Sequence, residues 1–190
     1  SLNRHDDWAA LNYFERLIYT QSIGVPKEYA NLRAFNDALL KRFNDDPSKV
    51  FEPFGKSMKM GNRVSFLEND GVSSPVGLLL KLVNKAAKRY ITEHPVDSQH
   101  PFLAQNPREW KIAAWSSILE NQGHHESHTH NAGWLSGVYY AKLPKVMETD
   151  NEKREGWILF GRPKHYVDVA NNPEFYFFRP REGQMILFPS

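Results

Sequence analysis

The chain has 190 residues, a formal net charge of +2 and no cysteine, which excludes disulfides, thiolate metal ligands and cysteine nucleophiles and leaves His and carboxylates to hold any metal. Apolar residues make up 41% and aromatics 13%, with twelve Phe and five Trp, a composition that builds a globular domain with a substantial core. Lys and Arg are spread rather than massed, no apolar stretch approaches bilayer length and the start lacks a signal-peptide pattern, so neither a nucleic-acid nor a membrane partner is expected and a cytoplasmic location is.

In chain order, Asp7 can cap a helix carrying Trp8, Leu11, Phe14 and Leu17, while Leu17 to Val25 is rich enough in Ile, Tyr, Thr and Val to be a strand, and the two readings stay open. Asn31 is a better cap: Leu32, Phe35, Leu39 and Phe43 then fall at helical spacing and Asp45-Asp46-Pro47 supplies a stop, predicting a helix from Leu32 to Asn44. Phe51 to Ser74 contains three glycines and no clear period, which predicts loop or irregular edge structure. Ser74-Pro75 caps a second helix, whose Leu79, Leu82, Val83, Ala86 and Tyr90 line one face until His94-Pro95 ends it.

After Pro107 the texture changes. Alternation from Trp110 to Trp115 predicts a strand running towards Ile118-Leu119 and ending near Gly123, and Gly133 to Lys142, Gly156 to Gly161, Phe175 to Phe178 and Gln184 to Phe188 are further short apolar runs bounded by turn residues. Glu148 to Glu155 reads as an exposed loop. The expectation is an α+β chain with helices first and an antiparallel sheet or barrel afterwards, organised as one domain with a helical lead-in over 1–95 and the main sheet over 108–190. Because the chain opens on Ser1 without Met and stops at Ser190 directly after a strand-like run, a missing C-terminal segment is also expected.

The chemistry concentrates in Gly123-His-His-Glu-Ser-His-Thr-His130, which holds four of the eight histidines and one carboxylate. On an extended chain His128 and His130 share one face about 7 Å apart, close enough to grip one ion, which suggests a metal site at a strand mouth. Glu126 does not complete a two-His, one-carboxylate set on an ideal strand, where it lies about 13 Å from His130, so a further ligand must come from elsewhere. The bland alternative is a polar, exposed run with incidental affinity for zinc or nickel. His124 and His125 read as loop residues or as groups that orient ligands, and His5, His94, His100 and His165 as structural. A cupin is the rival from another class, but no carboxylate follows His130 where a cupin places one.

Trp134-Leu-Ser-Gly-Val-Tyr-Tyr-Ala-Lys-Leu-Pro144, then Gly156-Trp-Ile-Leu-Phe-Gly-Arg-Pro163, then Gly183-Gln-Met-Ile-Leu-Phe-Pro-Ser190 together resemble the 2-oxoglutarate-Fe(II) oxygenase family often found behind tetratricopeptide repeats. The likeness extends upstream through His100-Pro-Phe-Leu103 and Trp110 to Trp115. It implies a double-stranded β-helix, or jelly roll, with N-terminal flanking helices, Fe(II) as cofactor and 2-oxoglutarate as co-substrate, hydroxylating a small molecule or protein as the co-substrate is decarboxylated to succinate. By position, His128 and His130 take the place of the family's His-x-Asp metal pair, His130 departing from it, and Tyr140 that of a tyrosine reaching 2-oxoglutarate; the alternative for Tyr140 is a packed strand aromatic. The family continues beyond Phe-Pro-Ser with a distal His, a metal ligand, and then an Arg suited to a bidentate grip on the co-substrate carboxylate. A non-catalytic jelly-roll binding or interaction module is the second reading. Substrate and oligomeric state are not legible in these residues.

Overall fold

The computed structural model of the protein describes residues 10, 11, 13–65, 67–149, 152–162 and 175–190. The chain divides into two compact units, one of residues 1–23, 85–110 and 129–190 and the other of residues 24–84 and 111–128. Every strand pair among the described residues is antiparallel, and together with the helices this makes the chain α+β. No described helix is long and apolar enough to cross a membrane.

Among the described residues of the first unit, a single helical turn, α1 (Phe14–Leu17), leads into β1 (Tyr19–Ser22), so the ambiguous lead-in is part helix and part strand there, while the expected cap Asp7 lies outside the described residues. β1 pairs with the last strand, β8 (Gln184–Pro189), which pairs on its other side with β5 (Leu135–Tyr139). β8 is central, and its Met185, Ile186 and Leu187 are all buried, which is why its sequence is apolar at successive positions rather than alternating. The registers place Gly137 opposite Leu187 and Ser136 opposite Phe188. A Cβ on Gly137 would stand 2.6 Å from the tip of Leu187, so this strand crossing is closed by the absence of a side chain. Phe188 meets Phe160 with ring centres 4.9 Å apart, and Phe160 lies on β6 (Ile158–Phe160), which pairs with β7 (Tyr176–Phe178). The Ser136–Phe188 face of one sheet is therefore turned towards the β6–β7 pair.

The C-terminal half of the long helix belongs to the same unit. Tyr90, fully buried, donates its hydroxyl to the carbonyl of Leu17 at 2.9 Å, and burial pushes its phenol above the ordinary range. His94, stacked on Tyr90, sets one ring nitrogen 2.8 Å from the carbonyl of Tyr90 and the other 2.8 Å from that of Arg16. His100 is buried and accepts from the backbone N–H groups of Phe102 and Leu103 through Nδ1. Both rings are thus held by backbone groups; His5 and His165 lie outside the described residues.

In the second unit, α2 spans Leu32–Asn44 as its spacing predicts, with the Asn31 side chain accepting from Ala34 N at 2.9 Å. Arg42 ties the end of this helix to Asp70 through two hydrogen bonds of 2.9 Å and to Asp46, whose carboxylate also accepts from Ser48. These contacts hold the Asp46 carboxyl down at about 2, the Ser48 hydrogen bonds first and Arg42 second. The long helix α3 runs Pro75–Glu93 across both units, and Ser74 caps it by accepting from Gly77 N.

The three-stranded sheet of this unit has the order β2 (Val50–Phe51), β3 (Met58–Val64), β4 (Ser116–His125), and it corrects two expectations. The region read as loop contains the central strand β3. Its period is hidden by a bulge between Lys59 and Gly61, where Met60 takes a positive φ of 48° and inserts one residue into the alternation. The strand expected from Trp110 starts only at Ser116 and continues to His125, because the 111–115 stretch is fastened by Leu67 N to the Ala114 carbonyl and Ala114 N to Glu68 instead of joining a ladder.

Candidate metal centre

β4 carries the first two histidines of the rich segment. Met58 pairs with His125 and Lys59 with His124, and the ladder closes as Glu126 N donates to the Ser57 carbonyl at 2.8 Å. No side chain can stand at Gly123, whose Cβ would approach the Met60 carbonyl oxygen to 2.5 Å, so glycine lets β3 and β4 close up just before His124. His124 and His125 thus lie on a strand rather than in a loop.

His128 and His130 are the reverse case, expected on a strand and found beyond one. β4 has ended at His125 and β5 begins at Leu135, so the i, i+2 alternation of a strand does not apply to the pair. The chain turns because His128 Nδ1 bends back onto the Glu126 carbonyl at 2.8 Å and Gly133 N closes on the His130 carbonyl at 2.9 Å. The boundary between the two units falls between His128 and Thr129.

On the first-unit side, His130 is anchored to the sheet. Its Nδ1 lies 2.7 Å from the hydroxyl of the buried Ser136, and that hydroxyl lies 2.7 Å from the hydroxyl of Ser190. Trp134, between them in sequence, stacks on Phe102 at 4.5 Å and donates its indole N–H to the Phe102 carbonyl at 3.2 Å. Tyr140 follows β5 and is tied to β8 through both backbone groups, its N–H to Gln184 O and its carbonyl from Gly183 N. Burial pushes its phenol above the ordinary range, so Tyr140 is a protonated hydroxyl at neutral pH.

Two features bear on a bound ion. The Glu126 carbonyl can only accept, so His128 Nδ1 carries the hydrogen and a neutral ring keeps its lone pair on Nε2, the arrangement of a metal-ligating histidine. His128 therefore fits an iron ligand role in donor chemistry, and His130 does so in the tautomer whose Nδ1 donates to the Ser136 hydroxyl. Among the described residues, however, no group of three or more His, Cys, Asp and Glu side chains is placed to hold a metal ion, so the described set is incomplete. A shallow groove of about 570 Å³ in the first unit, lined by Ile91, Pro95, Val96, Asn106, Arg108 and Trp110 among others, contains none of these site residues.

Residues 113–190 match the family model described as "Putative 2OG-Fe(II) oxygenase". That range starts close to β4 and takes in the whole histidine segment, β5 and β8. No curated protein and no solved structure matches the chain.

Proposed function

From the match of residues 113–190 to the 2OG-Fe(II) oxygenase family model, we propose that this region belongs to that family and is part of a double-stranded β-helix that binds Fe(II) and 2-oxoglutarate and hydroxylates a substrate as 2-oxoglutarate is decarboxylated to succinate. The observation that carries the reading is the His130–Ser136–Ser190 hydrogen-bond chain. It holds an imidazole at the end of the β5–β8 pair, and Ser136 belongs to the face turned towards β6 and β7. The antiparallel pairing of β5 and β8, with a second antiparallel pair across from them, supports the jelly-roll architecture.

In this reading His128 and His130 are metal ligands that would coordinate through Nε2, since a protein oxygen lies within hydrogen-bond distance of Nδ1 in each ring. His128 and His130 would hold Fe(II), which would supply the oxidising chemistry when bound together with 2-oxoglutarate and dioxygen. Tyr140 shares a strand face with Ser136 by the period of two, and its protonated hydroxyl can donate to a 2-oxoglutarate carboxylate. Substrate choice then rests with loops around this frame.

A second reading, a jelly-roll binding module without turnover, is favoured by one observation: no three metal-ligating side chains converge among the described residues. Succinate formation from 2-oxoglutarate by the protein with Fe(II) and dioxygen decides between them. Succinate that disappears in His128→Ala supports the oxygenase; 2-oxoglutarate binding without succinate supports the binding module.

A further inference from the structure

The end of β4 carries imidazoles whose protons are placed by their neighbours. His124 Nδ1 lies 3.1 Å from the Gln122 carbonyl and His128 Nδ1 lies 2.8 Å from the Glu126 carbonyl. A carbonyl only accepts, so both rings hold hydrogen on Nδ1 and, when neutral, present Nε2 as a lone pair. His125 Nδ1 lies 3.0 Å from the Ser57 hydroxyl, which can accept; in that state His125 also presents its Nε2 lone pair. Ser57 is itself fixed, since its carbonyl accepts from Glu126 N at 2.8 Å.

His125 and His128 have ring centres 5.8 Å apart and planes inclined by 33°. Two imidazoles that share one ion through metal–nitrogen bonds of about 2.0–2.1 Å place their ring centres roughly 5–6 Å apart, a separation this pair already has. His124 follows the opposite strand face from its neighbour His125. All of these groups lie in one compact unit.

We propose that His125 and His128 chelate a divalent late transition ion, Ni²⁺, Cu²⁺ or Zn²⁺, through their Nε2 atoms, with water completing the coordination and Ser57 orienting His125. Imidazole pairs without a carboxylate suit these ions better than the harder Mg²⁺ or Ca²⁺. The site is distinct from the His128–His130 iron pair in using His125. It shares His128 with that pair, so an ion held here withdraws a ligand from iron; this corollary, unlike the site itself, rests on the proposed function.

The test is calorimetric titration of the protein with NiCl₂, and with Fe(II) under anaerobic conditions, for wild type, His124→Ala, His125→Ala, His128→Ala and His130→Ala. His125→Ala and His128→Ala are expected to weaken Ni²⁺ binding by about tenfold or more, Ser57→Ala by less, and His124→Ala and His130→Ala by no more than about twofold. The exposed position of His125 predicts an unchanged melting temperature for its variant, and His125→Gln serves as a second check. Wild-type Ni²⁺ affinity in His125→Ala overturns the proposal, as does an equal loss in His124→Ala, which would mean unspecific capture by the whole histidine run. The Fe(II) arm separates the two readings: loss of Fe(II) in His130→Ala reports on the iron pair, and loss of Ni²⁺ in His125→Ala on this site alone.

Discussion

His130 Nδ1 lies 2.7 Å from the Ser136 hydroxyl, so a strand residue sets the orientation of an imidazole in the preceding loop. Such contacts fix ring direction and tautomer, and their removal typically weakens metal binding by about 10- to 100-fold. Ser136→Ala is expected to reduce Fe(II) affinity within that range while lowering stability by only about 1 kcal/mol. Parallel Fe(II) titration and urea denaturation check this. A stability loss with unchanged iron affinity would make Ser136 a packing residue only.

Tyr90→Phe removes the hydroxyl that satisfies the Leu17 carbonyl across the first unit. A buried carbonyl left unpaired costs about 1–3 kcal/mol, and the loss is expected in the denaturant midpoint. The pH dependence follows from burial, which raises the Tyr90 phenol in the folded state. Below the unfolded phenol value of about 10 both states are protonated and the stability is fully present; as pH rises beyond it the unfolded state ionises first and stability falls. Tyr90→Phe should shrink this alkaline loss without abolishing it, since Tyr19 and Tyr140 are raised too.

The second unit has an acid-sensitive latch of the opposite sign. Asp46 is held at about 2 by Ser48 and Arg42, below an unfolded carboxyl near about 4. Its contribution is present above that unfolded value and disappears as pH falls from about 4 towards about 2. Arg42→Ala, which also releases the 2.9 Å contacts to Asp70, is expected to lower stability at neutral pH and to flatten the acid limb of a stability profile in part, because the Ser48 hydrogen bonds to Asp46 remain. Thermal melts at a series of pH values provide the readout.

Gly123→Ala puts a methyl group 2.5 Å from the Met60 carbonyl and 2.9 Å from the backbone of Glu120. Backbone cannot swing aside as a side-chain tip can, so β3 and β4 must part or shift, at a cost of about 1–3 kcal/mol. The shift is expected to reach His125 and its Ser57 contact. A lower melting temperature together with weaker Ni²⁺ binding is the predicted pair of outcomes.

Helices α2 and α3 were legible because each is written in local terms: Asn31 and Ser74 as caps, Leu32 to Phe43 as a repeating apolar face, and Pro47 and Pro95 as stops. The short strands β5 to β8 were legible as apolar runs between turn residues. β3 was hidden because Met60, at a φ of 48°, breaks the alternation that marks a strand, and because its Lys59, Asn62 and Arg63 give it a polar texture. Pairing was not legible at all: nothing in Tyr19–Ser22 names Gln184–Pro189 as its partner, since register depends on neighbours distant in sequence. At the candidate site the residue types announced metal chemistry, but the strand assumed for His128 and His130 ends at His125, where backbone contacts with Ser57 and Glu126 redirect the chain. The closeness of His125 to His128 comes from the local turn after Glu126, which strand spacing does not foresee.

Whether His128 and His130 ligate iron is read from equilibrium Fe(II) binding under anaerobic conditions to wild type, His128→Ala and His130→Ala. Each substitution is expected to weaken Fe(II) binding by at least about tenfold while the fold is retained. Wild-type affinity in both variants would contradict the assignment.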